Sequence, residues 1–351
     1  MENRLVNWKD GMMLSAEHLF KTEDYFLEYI SKLGAAVLMA NSYGLVARPN
    51  DDQLVTAYES NSGELYLSVS SMSYLTEAGH VIHIPHGEAL DYITTGLPLA
   101  KADERYAVLV NLHPDKRSEF GEADTDEQPP RVPWSRIKLS VSLHPFSSIK
   151  SVGGKSAVVG VIRKLSGSWV VDKNYIAPVC KVKYSRELCE RLQQLHKHID
   201  RLIALSTAII GKIHLRGRGY SLADNIFKFV SLLLAALEGG RFAIMGKMYD
   251  ISPYEVRLFF SRVGGEMTGF MKSLSAEQRG ELLEYVNEWC LIPPGIFMRG
   301  AEQVSEPDYS QFDIAASFFK IEDYVRNVMV FMEQLVKLEF VGQRKENIVI
   351  S

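Results

Sequence analysis

The 351-residue chain contains only three cysteines, Cys180, Cys189 and Cys290. Their odd number and the lack of C-x-x-C spacing argue against a disulfide framework or a zinc ribbon and point to a reducing cytoplasm. An excess of positive charge is also missing. Lys and Arg total 39 against 43 Asp and Glu, a net charge of −4, so electrostatic capture of nucleic acid is not expected. Long apolar runs are absent too. The most apolar stretch, Phe227–Leu237, holds Lys228 and falls short of the roughly 18 residues of a membrane span, so direct membrane insertion is not expected. The opening MENRLVNWKDGMML scatters charges where a signal peptide needs a continuous apolar core. What remains, 46% hydrophobic and 23% charged residues, is the mix of a soluble globular protein of two or three domains.

Local motifs for chemistry are scarce. Gly154-Lys155-Ser156 ends like a phosphate-binding loop, but the glycine required five residues earlier is Ile149, so a turn between strands is the favoured reading. His80, His83 and His86 are spaced by three. On a strand this spacing alternates faces and leaves His80 and His86 about 20 Å apart, too far for one metal ion. His196 and His198 diverge on a helix, and Glu17-His18 lacks the second histidine of a zinc helix. With no G-x-S-x-G elbow and no activated cysteine in sequence, neither an enzyme nor a cofactor is expected.

The apolar pattern divides the chain. From about Tyr43 to Cys180 the period is two. Leu65, Leu67 and Val69 alternate with Tyr66, Ser68 and Ser70, and Ile137, Leu139, Val141 and Leu143 with Lys138, Ser140, Ser142 and His144. This predicts strands with one buried face. Tyr106–Leu112, Ala157–Lys164 and Ser168–Val171 are further strands, the last two joined by a tight Ser166-Gly167 turn. Ser118–Pro130, with five acidic residues and two terminal prolines, reads as an exposed loop. A helix over 15–38 precedes the strands, capped by Ser15, with Leu19, Phe26, Ile30, Leu33 and Val37 along one stripe.

After Tyr184 the period becomes helical. Leu188, Leu192, Leu195, Ile199, Leu202, Ile209 and Ile213 form a heptad seam interrupted only at Ser206. Ile314, Phe318, Ile321, Val325, Val328, Met332 and Leu335 form a second, and such seams supercoil against partner helices. The second seam reads as the core of the chain's own bundle. The first, flanked by Lys197, Asp200 and Arg201 and backed by Ala204, Leu205 and Ala208, suits either the bundle or a seam between copies. Between them lie a helix over Leu222–Leu237, one capped by Ser252 with Pro253 and Glu255 behind it, and one capped by Ser275 with Gln278 at its third position. Gly217–Gly219 and Gly239–Gly240 read as turns, and Ile292-Pro293-Pro294-Gly295 as the start of a long connection. Gly264 and Gly265, beside Glu266, mark a tight helix crossing, since helical glycine otherwise costs about 1 kcal/mol. The fold class is therefore α+β: an antiparallel β-shell or sandwich over residues 1–183 followed by an α-helical bundle over 184–351.

Four segments in order carry a family resemblance. Trp8-Lys9-Asp10-Gly11-Met12-Met13-Leu14 with His18 and Tyr25 resembles the opening of TssK, the baseplate subunit of type VI secretion. The family reads tryptophan, any residue, acidic, glycine, a leucine, then proline-glutamine-histidine-phenylalanine; here Ala16-Glu17 precedes the histidine and Leu19 follows it. Asn174-Tyr175-Ile176-Ala177-Pro178 resembles the tyrosine-isoleucine-proline-proline junction, with Ala177 for the first proline. Ser252-Pro253-Tyr254-Glu255 followed by Val263-Gly264-Gly265-Glu266-Met267-Thr268-Gly269-Phe270 is similar to the family's histidine-proline-x-glutamate and its glycine-glutamate helix. Pro307-Asp308-Tyr309 also fits, with Gln311 at a histidine position.

The resemblance implies a trimer with a β-shell, a helical neck and a head. In that scheme the shell binds wedge proteins TssF and TssG through Trp8, Gly11, Leu14, His18 and Tyr25, and the head docks on the membrane complex. The residues after Phe340 leave no room for a head, so membrane docking is expected through the bundle tip or another subunit, in a divergent secretion subtype. Alternatives are a contractile phage-tail or receptor-binding protein, and an enzyme with a β-domain and a helical lid.

Overall fold

Alternating Leu65, Leu67 and Val69 bury one face of a five-residue strand, and the strands around it follow the same rule. The computed structural model describes residues 5–37, 41–47, 53–94, 104–126, 128–149, 153–216, 221–306 and 308–344. The chain divides into two units, Met1–Cys180 and Lys181–Ser351.

The first unit begins with helix α1 (Ala16–Val37). Ten strands follow: β1 (Gly44–Leu45), β2 (Val55–Glu59), β3 (Leu65–Val69), β4 (Met72–Leu75), β5 (Val81–Ile84), β6 (Leu90–Thr94), β7 (Arg105–Phe120), β8 (Trp134–Pro145), β9 (Ser156–Leu165) and β10 (Ser168–Val171). They form three antiparallel sheets in the orders β1-β4-β5, β2-β3-β6 and β10-β9-β7-β8. β2 packs on β10 and β9 while β6 packs on β8, which lays one sheet over the other as a sandwich. Gly160 shows how close the layers are. A Cβ there would stand 2.7 Å from a Val55 methyl group. The β9–β10 turn has positive φ at both Ser166 (51°) and Gly167 (90°), the backbone of a twisted two-residue hairpin.

Ser118–Pro130 is not wholly a loop. β7 runs through Ser118–Phe120, whose partners are Arg136, Ser135 and Trp134, and the Asp124 N–H donates to the Arg131 carbonyl at 2.8 Å. β5 spans only Val81–Ile84, so His80 and His86 lie outside the strand and the three histidines do not share it. The segment Asn174–Pro178 runs into an extension beside β1. The Leu45 N–H donates to the Pro178 carbonyl at 2.8 Å, and the Cys180 N–H to the Leu45 carbonyl at 2.9 Å. Gly44 must be small there, because a Cβ would stand 2.3 Å from the Pro178 carbonyl carbon.

The second unit holds α2 (Arg186–Arg216), α3 (Ser221–Met245), α4 (Pro253–Ser273), α5 (Ala276–Cys290), α6 (Pro294–Ser305) and α7 (Ile314–Lys337). α2 packs on α3 and α7, and α4 packs on α6. Phe229 of α3 lies with its ring centroid about 6 Å from those of Phe270, Phe297 and Phe331 on α4, α6 and α7. Such offset rings add specific attraction to their burial. Both predicted capping boxes form. Ser252 Oγ accepts from the Glu255 N–H at 3.1 Å while Glu255 accepts from the Ser252 N–H at 2.9 Å. Ser275 and Gln278 repeat the exchange at 3.1 and 3.2 Å.

Two sequence readings fail here. Pro293-Pro294-Gly295 opens α6 and not a long connection, with a proline at the first helical position, where its missing N–H is harmless. Gly239–Gly240 lies within α3 and not in a turn. A Cβ on Gly240 would meet the Phe259 ring at 2.2 Å, so this glycine admits a neighbouring helix. Gly217–Gly219 lies outside the described residues.

Candidate interaction surface

The four-three stripe of α2 is fully used inside the chain. Leu188, Leu192, Leu195, Ile199, Leu202, Ile209 and Ile213 are all buried, as is Ser206 between them. The flanking charges also pair internally, Asp200 with Arg241 of α3 at 2.8 Å and Arg201 with Glu333 of α7 at 3.7 Å. These seven residues are therefore not a seam open to another copy. A heptad stripe serves an intramolecular bundle and an oligomer equally well, and here α3 and α7 fill it. The α7 seam, Ile314 to Leu335, is buried likewise.

The glycine pair divides. A Cβ on Gly264 would stand 2.9 Å from the Ala301 carbonyl oxygen, so α4 and α6 cross at this residue. Gly265 faces solvent with nothing within 4 Å of such a Cβ, and the reading of it as a packing glycine is corrected. Glu266 pairs with Arg262 one turn earlier at 2.9 Å.

Of the N-terminal residues singled out by the resemblance, Trp8, Gly11, Leu14 and His18 lie at the start of α1, and Tyr25 lies further along the helix. The Met12 N–H donates to the Lys9 carbonyl at 3.1 Å, closing a turn in which Gly11 takes φ +78°, a conformation suited to glycine. The turn sets Trp8 edge-on to His18, ring centroids 6.0 Å apart. Leu14 is exposed. Tyr25 lies two helical turns beyond His18 and stacks on Tyr29 at 6.4 Å. The surface mixes exposed apolar side chains, Trp8, Met13 and Leu14, with the charges of Lys9 and Asp10 and the Glu17–Lys21 pair at 2.7 Å.

Behind this surface, α1 is held at two points. Arg117 of β7 reaches Glu23 at 3.3 Å and Asp24 at 3.4 Å. Ser31 Oγ donates to the Ala78 carbonyl at 2.8 Å. Two exposed features escaped the sequence reading. Tyr58 and Tyr66 stack at 4.8 Å beside Ile93 on the outer face of β2-β3-β6. Phe120 and Trp134 face each other near the tip of the β7–β8 hairpin, with the Arg136 guanidinium over Phe120. The signal for the first was the tyrosines at the wet positions of alternating strands.

Among the described residues no group of three or more His, Cys, Asp or Glu could hold a metal ion. The strongest shifts of protonation belong to phenols. Burial pushes Tyr74 well up, and Tyr43 and Tyr324 with it, while Tyr285 rises to about 12. All four stay neutral in the core and make no acid–base pair of the kind catalysis needs. No described helix is long and apolar enough to cross a membrane.

No family model and no curated protein matches the sequence. Solved structures do. A crystal structure of TssK is 14% identical, covering 96% of this chain and 70% of that one, with a TM-score of 0.52. TssK from the type VI secretion system of EAEC, in complex with a nanobody, is 14% identical over 90% of this chain and 99% of its own, TM-score 0.52. A chain of the type VI secretion baseplate complex is 14% identical over 79% and 63%, TM-score 0.51. The sandwich, the leading helix and the bundle thus recur together, and the chain has the fold of TssK.

Proposed function

We propose that the protein is a structural subunit of a type VI secretion baseplate, acting as a TssK-type adaptor and catalysing no reaction. The observation that carries this is the extent of the fold match, which runs across both units and 96% of the chain. In this reading the protein works in the cytoplasm as a homotrimer. The surface built by Trp8, Gly11, Leu14, His18 and Tyr25 meets wedge proteins like TssF and TssG, and the helical unit faces the membrane-side complex. The exposed Trp8, with the half-buried His18 and Tyr25 beside it, supports the assignment, because aromatic anchors dominate binding energy at protein interfaces.

Capture of the TssF- and TssG-like proteins by the full chain and by a form lacking residues 1–14 tests the reading. Capture by the full chain, lost with the segment, is expected. Equal capture by both would move the contact elsewhere, and capture by neither would remove the adaptor role.

A further inference from the structure

The heptad stripe of α1, unlike those of α2 and α7, faces outward. Leu19, Phe26, Ile30 and Leu33 are 53%, 53%, 54% and 55% exposed. At 100° per residue these four centre about 100° round the helix from Ser31 and Gly34, which dock on the turn at Gly79. The stripe is therefore not the face that holds α1 to its own sheets. Among the heptad positions from Leu19 to Leu33 only Glu23 is charged, and it leans toward the docked side, where it meets Arg117 at 3.3 Å, as Asp24 does at 3.4 Å.

We infer that this stripe is the seam along which copies of the chain pack, α1 against α1. The inference rests on the homotrimer reading and names its surface. Three observations select another copy as the occupant. First, the stripe steps by seven, four and three from Leu19 to Leu33, the spacing that fits a second helix of the same pitch. Second, the area is right. Leu19, Phe26, Tyr29, Ile30 and Leu33 are each about half exposed and offer on the order of 500 Å² together, more than half of the ~800 Å² that each partner gives to a standard interface. Third, Ala16–Val37 carries Glu17, Glu23, Asp24 and Glu28 against Lys21 and Lys32, and this acidic balance opposes adsorption to an anionic lipid surface, the other common fate of an amphipathic helix. A stripe of apolar side chains left half in water gains free energy by meeting its own image in a symmetric assembly.

The test is the mass of the purified full-length protein by light scattering. The wild type is expected to contain about three copies, and Phe26→Asp with Ile30→Asp to fall to one, with helical circular dichroism unchanged because both positions are already exposed. A double variant that keeps the wild-type mass overturns the seam while leaving the homotrimer reading in place. A wild type that is a monomer at micromolar concentration overturns both. A double variant that keeps its mass but no longer captures the wedge proteins also overturns the seam, since the stripe would then be covered by a wedge protein. Should the double variant fail to fold, Ile30→Cys decides. Mild oxidation is expected to link copies in pairs beyond the level of the parent chain, and an absence of such links in a protein of wild-type mass overturns the seam.

Discussion

Gly79 lies directly against Ser31. A Cβ on Gly79 would stand 2.1 Å from the Ser31 carbonyl oxygen, and one on Gly34 3.0 Å from the Gly79 carbonyl oxygen. Gly79 also has φ +80°, where a side chain is strained. Two glycines thus let the backbone of a helix rest on the backbone of a turn. Gly79→Ala is expected to destabilise the first unit by about 2 kcal/mol, from strain and lost contact together. Chemical denaturation measures the loss, and faster tryptic cleavage at Lys21 and Lys32 should accompany it. An unchanged midpoint would mean that α1 does not dock there.

The adjacent glycines of α4 should respond in opposite directions. Gly264→Ala forces α4 away from the Ala301 carbonyl and should cost about 2 kcal/mol. Gly265→Ala, with open space around it, should gain about 1 kcal/mol from helix propensity. Melting temperatures of the two variants check the pair, and equal shifts of the same sign would contradict the crossing.

Arg257 is buried in α4 and spends its guanidinium on the end of α6. It donates to the carbonyls of Gln303 at 3.2 Å, Glu306 at 2.6 Å and Val304, and to Ser261 Oγ at 2.6 Å. A cation at a helix C-terminus satisfies carbonyls that the helix leaves open and meets the negative end of its dipole. Burial lowers its pKa, but the starting value is high enough that charge is kept. Arg257→Leu should cost about 3 kcal/mol by orphaning these carbonyls. Hydrogen exchange should then speed at Gln303–Glu306 before the rest of the bundle.

The α2 stripe makes a third kind of prediction. Because Leu195 and Leu202 are buried within the chain, Leu195→Asp with Leu202→Asp should unfold the second unit instead of releasing folded monomers. Loss of helical circular dichroism in step with any loss of mass is expected. Folded, helical monomers would restore the stripe as a seam between copies.

Two histidines set an acid limit. Burial lowers the pKa of His80 and of His196 below 6.5, and His196 Nε2 has no hydrogen-bond partner among the described residues. The folded chain prefers both neutral. Their contribution to stability is complete above pH 6.5 and is lost as pH falls through the lowered values. The melting temperature should drop between pH 7.5 and pH 5, and His80→Gln with His196→Gln should flatten that drop.

Much of this architecture was legible because local physics wrote it. The switch from period two to heptads separates the units, and Ser252-x-x-Glu255 and Ser275-x-x-Gln278 announced helix starts that formed as capping boxes. What was not legible depended on neighbours. Pro294 looks like a stop until it is seen opening α6, and Gly240 looks like a turn until Phe259 is placed against it. The stripes of α1 and α2 read alike, yet α3 and α7 cover one while the other is left in water. Periodicity reports that a face is apolar, and only packing reports what fills it.

The most direct test of the adaptor role is co-expression of the chain with TssF- and TssG-like proteins, followed by size-exclusion chromatography with mass measurement. The account predicts one complex holding several copies of the chain together with the wedge proteins. A chain that elutes alone, apart from a wedge that assembles without it, would contradict it.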